Sequence, residues 1–283
     1  CQSRRDRGLM PPVQDLLILV AAMAGAGVFA GLIAGLFGVG GGTVLVPALF
    51  YAFGVFGLGG DANLHVAVGT SLSTIITTSL RSVAAHRNHG AVDEVVLKGF
   101  IPWIALGAII GAVMAGFADK ATLGLIYGAF AIALAAYMGL GKESWTIMRE
   151  VPTGPARAGV GTGLGAVSAL MGIGGGAFGS AVMTLAGRPI HQAVATASGF
   201  GVAIAVPATL GFILMGWGVD GRPLLSLGYI NVPGFIILAL LTGAVAPYGA
   251  KLAHRLDKTM LRRAFGAYLA FTALAVVIKA IVA

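Results

Sequence analysis

Four glycines fall within five positions in GLFGVGGG (35–42): Gly38, Gly40, Gly41 and Gly42. The pattern returns 134 residues later as Gly172, Gly174, Gly175 and Gly176 of ALMGIGGG (169–176). Glycine adopts positive φ without a steric penalty and lets other groups approach the backbone closely. A glycine turn at a helix start also leaves several N–H groups that the helix cannot pair. Those groups, with the positive end of the helix dipole, favour an anion without any charged side chain. Thr43 follows the first run and would add a hydroxyl, whereas the second run is followed by Ala177. The alternative is close helix packing through small-xxx-small spacing, which Gly31, Gly35 and Gly38 also satisfy. Neither GxxxxGK[ST] nor GxGxxG is met around Gly38–Thr43, so a nucleotide-phosphate loop is not indicated.

Hydroxyls form the second constellation. Thr70, Thr74 and Thr77 stand at i, i+4 and i+7 and share one helix face, which Arg81 continues; Ser71 lines a neighbouring face. They can donate to a passing anion, or bond back to their own helix. The second half keeps Thr196 from this stripe. His65 and His191 begin the matched segments HVAVGTSLS and HQAVATASG. Either could couple proton movement to another event, or simply mark a polar helix entrance. Two matched histidines are too few for a metal site, and the single cysteine, Cys1, excludes an intramolecular disulfide. No cofactor is expected.

The elements that must position these residues are apolar. The chain is 58% hydrophobic and 10% charged, against about 25% charged in soluble domains. Asp61 is the only charged residue between Leu16 and Leu80, and 121–141, 158–187, 189–219, 224–250 and 264–278 have none. Runs of about 20 apolar residues predict membrane-spanning helices, and the short alternating strands of a barrel are not seen. The fold class is therefore all-α and polytopic. Helices are expected near 14–37, 42–58, 64–84, 96–118 and 121–141, then 157–173, 176–187, 191–217, 227–251 and 260–282. The polar CQSRRDRG leads directly into an apolar segment, so no cleavable leader is expected. The +8 net charge fits basic loops beside a lipid bilayer, and no basic soluble face points to nucleic acid.

Three ordered matches, the last pairing ADKATLGLIYGAF (118–130) with LDKTMLRRAFGAY (256–268), divide the chain by internal duplication. The reading is a polar tail 1–13, repeat one at 14–142, a connecting loop 143–154 and repeat two at 155–283. The basic side swaps between repeats. The loop after the third helix carries Arg81, Arg87 and Lys98 in repeat one, but only Arg222 in repeat two. The loop before the fifth carries only Lys120 in repeat one, but Lys251, Arg255, Lys258, Arg262 and Arg263 in repeat two. By the positive-inside rule the repeats lie inverted. Loops 81–98, 142–157 and 251–263 then lie inside, with both termini outside. Inverted repeats with paired broken helices place a substrate site near the midplane, where the breaks meet. No Asp or Glu lies centrally in a predicted span. Without such coupling carboxylates, the membrane potential can act on the substrate, and an inside-negative potential favours export of an anion.

GLIAGLFGVGGGTVLVPAL (31–49), HVAVGTSLS (65–73), GTGLGAVSALMGIGGGAFGSAVMTLAGRPIHQAVATAS (161–198) and the helix starts at Asp119 and Asp257 resemble the TauE/SafE family. The resemblance implies a bacterial inner-membrane carrier of a small sulfur-containing anion such as sulfite, sulfoacetate or another sulfonate. Read with the residues, it places the anion against Gly38–Thr43 and Gly172–Gly176, with Thr70, Ser71, Thr74 and Thr196 beside it. Rocking of one repeat against the other would alternate access. An anion channel of the same fold and a membrane-embedded subunit without transport activity remain alternatives. A membrane enzyme would need a nucleophile, base or metal ligands that are not visible. A monomer and a homodimer fit equally.

Overall fold

Glycine notches and apolar exteriors organise the computed structural model, which describes residues 13–37, 41–58, 60–88, 90–140, 148, 150–253 and 258–282. Ten α-helices occur among them, with one short 3-10 turn at Gly60–Ala62. The first five are α1 (Val13–Phe37), α2 (Gly42–Val55), α3 (Asn63–Asn88), α4 (Glu94–Phe117) and α5 (Lys120–Leu140). The second five are α6 (Gly154–Met171), α7 (Gly176–Leu185), α8 (Ile190–Met215), α9 (Val232–Ala253) and α10 (Lys258–Val282). Four stretches are long and apolar enough to cross a membrane: Glu94–Phe117, Lys120–Leu140, Ile190–Met215 and Val232–Gly249. Shorter apolar stretches lie at Val20–Leu36, Gly42–Val55, Gly176–Leu185 and Gly266–Val282. Large apolar side chains such as Ile109, Met114, Phe117, Ile132, Leu240 and Phe271 face outward. That exterior suits lipid, while Phe50, Phe100, Tyr127, Phe200 and Phe212 fill the interior. The protein is an all-α, multi-pass membrane protein.

Local chemistry sets several boundaries. Asp93 caps α4 by accepting the Val96 N–H at 3.1 Å. The ninth helix begins at Val232, not near 227 as its apolar run suggests. Residues before it form a hairpin of β1 (Ser226–Leu227) and β2 (Ile230–Asn231), turned at Gly228 with φ 57°. This hairpin folds inward: Tyr229 donates its N–H to the Phe212 carbonyl at 3.1 Å. At the other end of the chain, Lys279 donates to the Phe50 carbonyl at 3.1 Å and lies 4.3 Å from the Tyr51 ring centroid, tying α10 to α2.

Helix directions follow from residue contacts. A Cβ at Gly31 would lie 3.0 Å from the Thr242 Cα, and one at Gly249 would overlap the Leu32 carbonyl, so α1 and α9 run parallel at close range. The α4–α6 pair repeats the arrangement: Gly107 faces Thr162, Gly111 faces Ala166 and Gly165 faces Ile104. Small residues let these backbones touch, which is the usual basis of helix association in lipid. Gly31 thus has the packing role anticipated as its alternative. By contrast α5 and α10 are antiparallel, with Gly124 against Ala280 and Gly266 against Ala135 and Gly139. So are α3 and α8, with Gly69 against Phe212 and Gly199 against Val83. α9 follows α3, and α4 follows α8. The fourth helices of the two chain halves therefore also run in opposite directions.

Candidate functional site

The break between α6 and α7 is built by a left-handed glycine. Gly172 has φ 66°; its N–H bonds the Ala169 carbonyl at 3.2 Å, and the Ile173 N–H bonds that of Ser168 at 3.0 Å. This is a Schellman-type stop, which only glycine enters without cost. Three residues after Gly172, Gly175 stands at the N-cap of α7, its carbonyl accepting the Gly179 N–H at 2.7 Å. The break before α2 ends on Gly41, φ 77°, whose carbonyl accepts the Val44 and Leu45 N–H groups, both at 3.0 Å. Gly38 and Gly40 lie outside the described residues.

The two breaks touch. A Cβ at Gly42 would overlap the Gly172 carbonyl and come within 2.9 Å of the Ile173 Cα; one at Gly172 would lie 2.8 Å from Val46 Cγ2. From α3, Ser71 donates to the Gly172 carbonyl at 2.8 Å. Ser71 thus holds the second break in place. Its counterpart in the other half is Ala197, so this support is one-sided. Thr43 and Ser168 are fully buried, and neither hydroxyl has a hydrogen-bond partner. Thr43 lies one turn from Val46 on α2, and Ser168 one turn from Gly172 on α6, so each shares a face with a residue at the junction. A buried hydroxyl left unpaired costs about 1–3 kcal/mol. Two of them beside touching backbone turns mark a place suited to an acceptor from outside the chain.

The other hydroxyls singled out in the sequence, on α3 and α8, have partners inside the protein, whereas away from the breaks Tyr127, Thr209 and Ser226 also carry buried hydroxyls without one. Thr70 Oγ1 accepts the Asn231 N–H at 2.9 Å, and Thr196 Oγ1 accepts the Asp93 N–H at 2.9 Å. The symmetry of this pair is chemical as well as positional. Asn231 and Asp93 both cap the fourth helix of a half, through Gly234 and Val96 respectively. Each third helix therefore holds the entrance of the other half's fourth helix. Thr74 donates back to the Thr70 carbonyl at 3.0 Å, and Thr77 to that of Thr74 at 2.8 Å. Gly174 and Gly176 stay in the buried core of the second break.

The histidines differ. His65 is buried; its Nε2 lies 3.0 Å from both the Ala115 and Ala118 carbonyls, and so donates to them. Its ring stacks on Tyr229 at 5.0 Å, and Nδ1 has no partner. His191 is exposed at the start of α8. Beyond the α4 end, Asp119 accepts the Thr122 N–H at 2.7 Å, and this bond holds its carboxyl below the usual carboxylate range. No group of three or more His, Cys, Asp or Glu suited to a metal occurs among the described residues.

A family model described as "Sulfite exporter TauE/SafE" matches residues 23–276. The chain belongs to this TauE/SafE family. A "Probable membrane transporter protein" of Haemophilus influenzae is 30% identical over 264 residues, covering 93% of this chain and 98% of that one. A protein of the same description from Methanocaldococcus jannaschii is 26% identical over 252 residues, covering 88% and 91%. One from Bacillus subtilis is 40% identical over 86 residues, 30% of this chain and 32% of that one. No solved structure matches the chain. As a TauE/SafE protein, the chain is a membrane transporter. Within that family setting, Ser168 is the residue that sequence reasoning passed over. Its spacing of four from Gly172 in SALMG was the available signal, but a lone serine in an apolar helix does not announce whether it is paired.

Proposed function

We propose that this chain is a secondary transporter that exports a small sulfur-containing anion of the sulfite, sulfonate or sulfoacetate class across a bacterial inner membrane. The observation that carries the reading is the junction of the two glycine breaks, with the unpartnered Thr43 and Ser168 hydroxyls buried beside it. Hydroxyls can turn their protons toward an oxyanion. Backbone N–H groups at the starts of α2 and α7 would complete the donor set, at Gly41, Gly42, Gly174, Gly175 and Gly176, with Gly172 forming the turn of the second break; Gly38 and Gly40 join the set by their match to Gly172 and Gly174 in the sequence. Ser71 serves the site by bracing the Gly172 carbonyl. Thr70, Thr74 and Thr196 line the neighbouring helices. The halves act as inverted repeats, a reading supported by the swapped loop charge and by the opposed directions of the matched helices.

The chemistry asked of the site is binding and release. Neutral donors hold an oxyanion without the strong attraction of a buried cation, so the anion can leave again. With no carboxylate placed centrally in a span, movement of the anion carries net charge, and an inside-negative potential drives it outward by about 2.3 kcal/mol per charge per 100 mV. The test is uptake and efflux in proteoliposomes offered sulfite, sulfate, methanesulfonate, sulfoacetate and chloride. Saturable flux confined to one or more sulfur anions supports the reading. Equal, unsaturable flux of all five, chloride included, would refute it in favour of a channel.

A further inference from the structure

A cavity of about 550 Å³ opens away from the breaks, where α4 and α6 begin and the α7–α8 loop crosses them. Arg157 and Arg188 line it, together with Glu150 and the apolar Val96, Phe100 and Val151. The two arginines are held differently. Arg188 pairs with Asp93 at 3.4 Å at a half-exposed rim. Arg157 is half-buried, and has no carboxylate within ion-pair distance among the described residues. Its Nε donates to the Pro152 carbonyl at 3.2 Å, and its guanidinium carbon lies 5.9 Å from the Phe100 ring centroid. A side chain at Gly99 would overlap its Nη1, so the missing side chain there makes the slot that the guanidinium occupies.

A guanidinium is a planar fork suited to two-point contact with an oxyanion. Here the fork is positioned by Nε, ring and glycine slot, while its Nη groups have no acceptor among the described residues. A merely structural arginine would be expected to use them. We infer that this cavity is a second anion site, where Arg157 and Arg188 receive an organic oxyanion whose apolar part lies against Val96, Phe100 and Val151. The apolar Val96, Phe100 and Val151 beside the arginines call for a carbon-bearing ligand in place of an inorganic oxyanion. The face is the one that the loop charges put inside, so for an exporter it is the loading side. This role rests on the transport reading above; the binding does not. Arg188 also links the cavity to the core, because its partner Asp93 caps α4 and donates to Thr196. An anion that draws Arg188 away from Asp93 would loosen that cap as it arrives.

The experiment uses benzenesulfonate as probe, titrated calorimetrically into the full chain in detergent, followed by flux measurements in liposomes. Wild type is expected to bind two equivalents. Arg157→Gln should bind one and raise the flux KM about tenfold or more, the loss of a hydrogen bond to a charged group. Arg188→Gln, at the exposed rim, should weaken the same equivalent, and serves if Arg157→Gln does not fold. The double variant Thr43→Val, Ser168→Ala should retain the equivalent that Arg157→Gln loses. Two unaltered equivalents in both arginine variants would overturn the site, as would displacement of benzenesulfonate from it by added phosphatidylglycerol, which would make it a lipid-headgroup site. Loss of the equivalent with unchanged KM would overturn the loading role. If wild type shows no flux of any anion yet the Arg157-dependent equivalent is bound, the transport reading fails and the site stands.

Discussion

Replacing Thr43 by Val and Ser168 by Ala should improve folding and damage transport, a combination few structural residues would show. Both hydroxyls are fully buried without a partner. In the absence of ligand each is an unpaid desolvation of about 1–3 kcal/mol, so an apolar side chain of similar shape should raise stability by an amount of that order. With ligand bound, the same groups would donate to a charged oxygen, a contact of about 1.5–3 kcal/mol. Its loss corresponds to roughly 10- to 150-fold weaker binding per residue. The assay has two arms: thermal unfolding in detergent without anion, and flux KM in liposomes. The expected result is a higher unfolding midpoint with a KM raised at least about tenfold in each single variant. A lower midpoint with an unchanged KM would refute the reasoning, because it would show the hydroxyls to be packing groups.

Ser71→Ala removes the donor on the Gly172 carbonyl, and should lower stability by about 1–3 kcal/mol, read as a lower denaturation midpoint. Thr70→Val and Thr196→Val strip the acceptors from the N–H groups of Asn231 and Asp93; each should destabilise by about 1–3 kcal/mol, with amide exchange rising at the start of α9 or α4 respectively. Asp119 has its pKa lowered in the folded protein by the Thr122 N–H, so its contribution is present above the ordinary carboxylate range and is lost as pH falls through the lower folded value. The unfolding midpoint of Asp119→Asn should therefore differ from wild type near neutral pH and converge with it in acid. Anion efflux should quicken as the interior is made more negative at a clamped pH gradient, and should keep that dependence in His65→Gln and His191→Gln; flux that follows pH and ignores voltage would assign the histidines to proton coupling.

The helices were legible because a span needs a long apolar run and little else, and the breaks because glycine interrupts such runs conspicuously. The start of α9 was not, since SLGYIN is as apolar as a helix end yet pairs with itself around Gly228. Glycine spacing could not say which runs were turns and which were notches. Gly107, Gly111 and Gly165 carry the α4–α6 contact, but nothing in their local sequence differs from a flexible segment until Thr162, Ala166 and Ile104 are seen against them. The break glycines also proved to be tight. A Cβ at Gly175 would lie 2.7 Å from that of Phe200, so a bulky residue there would disturb folding as well as any site. Hydroxyl periodicity on α3 located a polar stripe, but partner choice is a tertiary property. Thr70 faces a helix cap from the other half, and Ser71, its neighbour, supports a break.

The parallel pairs α1–α9 and α4–α6 each join the first helix of one half to the fourth helix of the other. Neither half closes the glycine grooves of its own first and fourth helices. A ribosome that has finished residues 14–142 has made α1 and α4 with their partners still to come, and the grooves of both stay open to lipid until α6 and α9 insert. A single half expressed alone would be an incomplete body whose missing helices a second copy, lying the other way up, could supply. That would be the arrangement of an exchanged-segment dimer. If the close α1–α9 and α4–α6 contacts persist through the transport cycle, the moving bodies would cut across the sequence halves instead of following them.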